Sequence, residues 1–189
     1  MTQPPQIVSD DRIAALARRL DRPVVLVGLM GAGKSTVGRK LATLLGKRFI
    51  DADEAIEEAA QMTIPEIFAQ FGEAYFRDGE RRVIARLMEQ GPTVIATGGG
   101  AFVNDETRAL ILQRGIAVWI DCDIDTLVER TARKNNRPLL QQGNPREILT
   151  RLQVERQPFY AQAPIRVTSE HGPHSETALA IIGAIDQWL

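Results

Sequence analysis

The chain has 189 residues, with 23 Lys and Arg against 24 Asp and Glu and a formal net charge of −1. Its 44% hydrophobic and 25% charged composition is globular usage and excludes a disordered or fibrous chain. The balanced charge argues against a dedicated nucleic-acid binder, and one cysteine, Cys122, leaves no internal disulfide framework. No apolar run approaches the roughly 18 residues of a membrane span. The opening Met1-Thr2-Gln3-Pro4-Pro5 lacks the basic flank and apolar core of a signal peptide. A soluble protein of the reducing cytoplasm is expected.

Residues 1–8 read as a tail. Ser9 or Asp10 caps a short helix with Ile13, Leu16, Ala17 and Leu20 on its apolar face, and Asp21-Arg22-Pro23 ends it. This divides an extension over 1–22 from a single domain over 23–189. Short β-branched runs at 24–29, 48–50, 93–96, 116–120 and 165–167 read as buried strands. Between them lie helical stretches. Residues 36–45 place Val37, Leu41, Leu44 and Leu45 on one stripe. Ile64–Met88 carries Ile67, Phe68, Phe71, Tyr75, Val83, Ile84 and Leu87, with a break near Gly72. Further helices are expected over 105–113, 124–131, Pro145–Tyr160 and 175–189. Trp119 and Trp188 are read as core. Strands alternating with helices predict an α/β domain with a mostly parallel sheet and helices on both faces.

Gly28-Leu29-Met30-Gly31-Ala32-Gly33-Lys34-Ser35 is a G-x-x-x-x-G-K-[ST] phosphate loop between a strand and a helix. Its backbone N–H groups and the helix N-terminus suit a polyphosphate, Lys34 reaches the β- and γ-phosphates, and the Ser35 hydroxyl suits Mg²⁺. Gly31, Ala32, Gly33, Lys34, Ser35 and Thr36 are therefore expected to hold ATP. Asp51-Ala52-Asp53 ends the second strand, where alternation sets both carboxylates on one side. One suits Mg²⁺ through water and the other a substrate hydroxyl; alternatively, Asp53 caps a helix. Thr97-Gly98-Gly99-Gly100 offers bare backbone to a ligand, or forms a loose turn. Arg77 and Glu80, three apart, form a surface pair or an arginine held to grip a carboxylate. From Arg130 to Arg156 there are seven basic residues (Arg130, Arg133, Lys134, Arg137, Arg146, Arg151, Arg156) against Glu147 and Glu155, a local +5. Beside a phosphate site, its irregular part over 130–143 becomes a mobile lid candidate.

These motifs, with Arg137-Pro138-Leu139-Leu140 and Arg156-x-x-x-Tyr160, stand in the order and spacing of shikimate kinases. The resemblance runs from about Val24 to the C-terminus. It implies a three-layer α/β/α P-loop NTPase fold with a five-stranded parallel sheet ordered 2-3-1-4-5. It implies phosphorylation of the 3-hydroxyl of shikimate by ATP and Mg²⁺, a step of chorismate and aromatic amino-acid synthesis. Asp53 would meet the ring hydroxyls, in a substrate region over about 51–80, and act with Lys34 and Arg137 in catalysis. Arg77 and Arg156 would hold the carboxylate, the Gly98, Gly99 and Gly100 backbone would lie against the ring, and Asp51 would reach Mg²⁺ with Ser35. Arg137 would contact the ATP phosphates and Arg130 would stack on adenine. A monomer acting on small molecules, away from nucleic acid and membrane, is the implied state.

Two departures stand out. The first twenty or so residues have no counterpart in compact members. After the last strand, Ser169-Glu170-His171-Gly172-Pro173-His174 leaves a basic adenine contact in doubt, and both histidines read as surface residues. Rival readings are a gluconate-type or nucleotide kinase and a non-catalytic ATP-binding module. A regulatory GTPase is disfavoured because no N-K-x-D segment occurs.

Overall fold

The computed structural model describes residues 8–133 and 138–189. Five parallel strands, β1 (Val24–Val27), β2 (Phe49–Asp51), β3 (Val94–Ala96), β4 (Ile116–Cys122) and β5 (Ile165–Ser169), form one sheet in the order β2-β3-β1-β4-β5. Every residue of β1 and β3 is buried, as expected of strands covered on both faces. The edge strand β5 alternates, with Ile165 and Val167 inward and Arg166 and Thr168 outward.

Helices α1 (Asp10–Arg19), α2 (Lys34–Leu45) and α8 (His174–Trp188) pack on one another. Helix α4 (Ile64–Met88) packs on α3 (Ala52–Ala60) and α5 (Asp105–Arg114), and α6 (Ile124–Ala132) packs on α7 (Pro145–Tyr160). Short 3-10 turns span Ala101–Val103 and Pro138–Gln142. Helix α1 is part of the main core: Ile13, Leu16 and Leu20 are buried there, and Arg12 and Arg19 each hold Asp186 of α8 at 2.7 Å.

Helix α4 starts with a capping box between Thr63 and Glu66 and breaks at Gly72, whose φ of 82° lies in the left-handed region. Because the chain turns there, the apolar stripe does not continue through it. Phe68, Phe71 and Tyr75 are exposed, contrary to the core reading, and Phe71 stacks on Tyr75 at 4.4 Å between centroids. Leu44 is exposed too, since burial follows Val37, Leu41 and Leu45 at four-residue spacing. Trp119 is buried as expected, but Trp188, the last residue of α8, is 44% exposed.

Candidate active site

The carboxyl ends of the strands carry the site. The chain leaves β1 toward β2 on one side, and leaves β3 toward β4 on the other, so the crevice between β1 and β3 is the topological switch point. The phosphate loop follows β1 and the glycine triplet follows β3, one on each side of it. The resulting cleft, about 300 Å³, is lined by Met30, Gly31, Gly33, Lys34, Ser35, Thr36, Asp51, Asp53, Thr97, Gly98, Gly99, Arg130, Arg133 and His174.

Lys34 is 8% exposed and donates to the carbonyls of Gly28 and Leu29 at 2.7 and 2.8 Å, so its charge is held inside the loop. Ser35 Oγ donates to Asp51 Oδ2 at 2.7 Å, while Asp51 Oδ1 accepts from the backbone N–H groups of Asp53 and Glu54. The helix cap is thus Asp51, not Asp53. Nor does strand alternation pair the two carboxylates, because Asp51 ends β2 and Asp53 stands in the first turn of α3. Freed from capping, Asp53 faces the cleft. Burial, followed by the nearby charge of Asp51, raises its pKa above the ordinary aspartate value, with Lys34 opposing.

Hydroxyl and carboxylate oxygens at Ser35 and Asp51 match a hard cation. Among the described residues no group of three or more His, Cys, Asp or Glu forms a metal cage. That donor set fits Mg²⁺, which keeps waters and takes further ligands from substrate phosphates.

The glycine triplet is packed by three side chains. A Cβ on Gly98 would stand 2.8 Å from Asp53 Oδ1, and one on Gly99 3.0 Å from Arg156 Nη1. One on Gly100 would overlap the Arg77 guanidinium. Arg77 donates to Glu80 at 2.8 Å, and Glu80 is 1% exposed, so the buried carboxylate fixes the arginine. Burial raises the Glu80 pKa, and Arg77 pulls it back.

Arg130 folds across the phosphate loop, donating to the carbonyls of Ala32 at 3.2 Å and Glu170 at 3.0 Å. Arg137 lies outside the described residues, as do residues 134–136 of the expected lid.

Two residues escaped the sequence reading. Tyr160 is buried and donates to the Gly99 carbonyl, yet its motif drew attention only to Arg156. His174 is not the surface residue expected: it lines the cleft against Gly33, while His171 is exposed beside Thr126. Helix α8 starts directly after Pro173, and its first residue, His174, stands against the loop.

The strand order and the loop between β1 and α2 define a P-loop NTPase fold. The family model for shikimate kinase matches residues 30–186. A shikimate kinase of Novosphingobium aromaticivorans is 66% identical over 187 residues, covering 97% of each chain. One of Caulobacter vibrioides is 52% identical over 181 residues, covering 96% of this chain and 88% of that one. The structure of shikimate kinase from Acinetobacter baumannii in complex with shikimate matches with a TM-score of 0.85 and 40% identity, covering 91% of this chain and 96% of that one. The chain belongs to the shikimate kinase family, and it is a kinase. A gluconokinase of Sinorhizobium meliloti, at 17% identity and a TM-score of 0.54, shares the fold alone.

Proposed function

We propose that this protein transfers the γ-phosphoryl group of ATP to the 3-hydroxyl of shikimate, giving shikimate 3-phosphate and ADP in aromatic amino-acid biosynthesis. The observation that carries the reading is the triplet Gly98-Gly99-Gly100, with Asp53, Arg156 and Arg77 each packed on one glycine. A carboxylate and two guanidinium groups thereby surround one patch of bare backbone, which suits a small ring with hydroxyls at one side and a carboxylate at the other.

Asp53 orients the attacking hydroxyl and accepts its proton, and its raised pKa brings it nearer neutrality, as suits a base. Arg77 and Arg156 hold the acceptor carboxylate, for which planar guanidinium groups are suited. Lys34 and the loop N–H groups hold the β- and γ-phosphates, with Arg130 and Arg137 supplying further charge at the nucleotide. Ser35 and Asp51 hold Mg²⁺, which when bound with ATP neutralises phosphate charge. All these residues come from one chain, so a monomer suffices, and the single cysteine suits a cytoplasmic setting.

A coupled ADP-release assay with shikimate, gluconate and nucleoside monophosphates tests this reading. Release with shikimate alone is expected. Release with gluconate or a nucleoside monophosphate, and none with shikimate, would replace the acceptor while keeping the phosphate-loop chemistry.

A further inference from the structure

The glycine triplet and the turn after it are bonded into one piece. Ala101 N–H donates to the Gly98 carbonyl and Val103 N–H to the Gly100 carbonyl, each at 3.2 Å. What remains to be set is the distance from this piece to α7, which carries Arg156. That distance is close, since a Cβ on Gly99 would stand 3.0 Å from Arg156 Nη1.

Arg108, on α5, spans it. Its Nη1 donates to the carbonyls of Phe102 and Val103 at 3.2 and 3.1 Å, at the end of the turn. Its Nε donates to Gln162 Oε1 at 3.1 Å, just past the end of α7. Its guanidinium carbon lies 5.1 Å from the centre of the Phe159 ring. Arg156, Phe159 and Tyr160 stand three and four residues apart on α7, so they share one face. A plain surface pair with Asp105, 2.6 Å away, would leave the guanidinium in water, yet the Arg108 side chain is only 13% exposed. A planar fork of five donors serves the turn and the helix at once, which a single ammonium cannot.

We infer that Arg108 is a positioning residue of the acceptor site: it ties the turn after the glycine triplet to the end of α7 and thereby fixes Arg156 beside Gly99. It acts through Arg156, not on the acceptor itself. The phosphate loop is held by β1 and α2 instead, so nucleotide binding does not depend on the tie. The inference rests on the proposed role of Arg156 at the acceptor carboxylate.

A double-mutant cycle read by steady-state kinetics tests it, because a residue acting through Arg156 has nothing to act on once Arg156 is gone. Arg108→Met keeps a long apolar stem without the donors. It should raise acceptor KM about tenfold and leave ATP KM within about twofold. In an Arg156→Ala background the same change should move acceptor KM by less than about twofold. Arg108→Lys keeps the charge but cannot bridge both ends, and should behave like the methionine variant. Gln162→Leu breaks the helix end of the tie and should raise acceptor KM about threefold, again only while Arg156 is present. It decides the matter if Arg108→Met does not fold. Unchanged acceptor KM in the folded single variants, an equal rise in ATP KM, an equal loss with and without Arg156, or full rescue by lysine would each overturn the inference. No effect of Arg156→Ala alone on acceptor KM would instead overturn the placement of Arg156, and this inference with it.

Discussion

The guanidinium of Arg77 occupies the space that a side chain on Gly100 would need: a Cβ there would come within 2.8 Å of Arg77 Cζ. Gly100 has a φ of −93°, which any residue adopts, so the requirement for glycine at this position is steric rather than conformational. Gly100→Ala should therefore fold normally and move Arg77. Acceptor KM is expected to rise about tenfold or more, as for loss of a charge-assisted contact worth about 1.5–3 kcal/mol, with ATP KM unchanged. An unaltered acceptor KM in a folded variant would remove Arg77 from the acceptor site.

Lys34 places its ammonium against two loop carbonyls and beside the expected phosphates. Lys34→Ala should lower turnover by at least about a hundredfold, or roughly 2.7 kcal/mol of transition-state stabilisation. Near-normal turnover, measured by ADP release, would contradict the role.

Asp53 links activity to stability. Its folded-state pKa is raised, so the folded protein holds this proton at pH values where the unfolded chain has lost it. Stability from this group is therefore greatest at low pH and is lost as pH rises from the ordinary aspartate value through the raised one. On the proposed role, turnover should run the opposite way, because a base must be ionised to accept a proton. Asp53→Asn should lower turnover by about a hundredfold or more and should raise Tm at pH 8, the gain shrinking on acidification. A lower Tm at pH 8 would show that the ionised carboxylate stabilises the fold.

Tyr160 bonds the Gly99 carbonyl from helix α7, the helix that also carries Arg156. Tyr160→Phe leaves that carbonyl unpaired, costing about 1–3 kcal/mol, or about 2–4 °C in Tm for each kcal/mol. Acceptor KM should rise with it, while ATP KM should hold. A thermal melt and a two-substrate kinetic series read both effects, and a rise confined to ATP KM would place Tyr160 on the wrong side of the cleft.

What could be read in advance was whatever rests on local pattern. Buried parallel strands are continuous apolar runs, and the run at β1 meets a phosphate loop whose spacing is itself a backbone geometry. The contacts of Asp53, Arg77 and Arg156 with three successive glycines are tertiary, and only the resemblance grouped them. The break near Gly72 was legible from the glycine, but periodicity cannot give the new direction of the chain after it, and so misplaced Phe71 and Tyr75. The capping role went to Asp51 rather than Asp53 because β2 ends at Asp51 and α3 begins at once with Ala52, two residues before the start that a cap at Asp53 implies. His174 was missed because nothing in a Gly-Pro-His run shows which way the next helix points.

The break at Gly72 has a wider consequence. Ile56 of α3 packs with Ile67 and Phe76, on either side of the break, as a small cluster separate from the main core. Val83 of α4 packs against both clusters and links them. The phosphate loop, by contrast, is anchored in β1 at the centre of the main core, where few substitutions are neutral. Movement of the segment before Gly72 is therefore transmitted to the sheet through Val83, while the phosphate loop is held directly by β1.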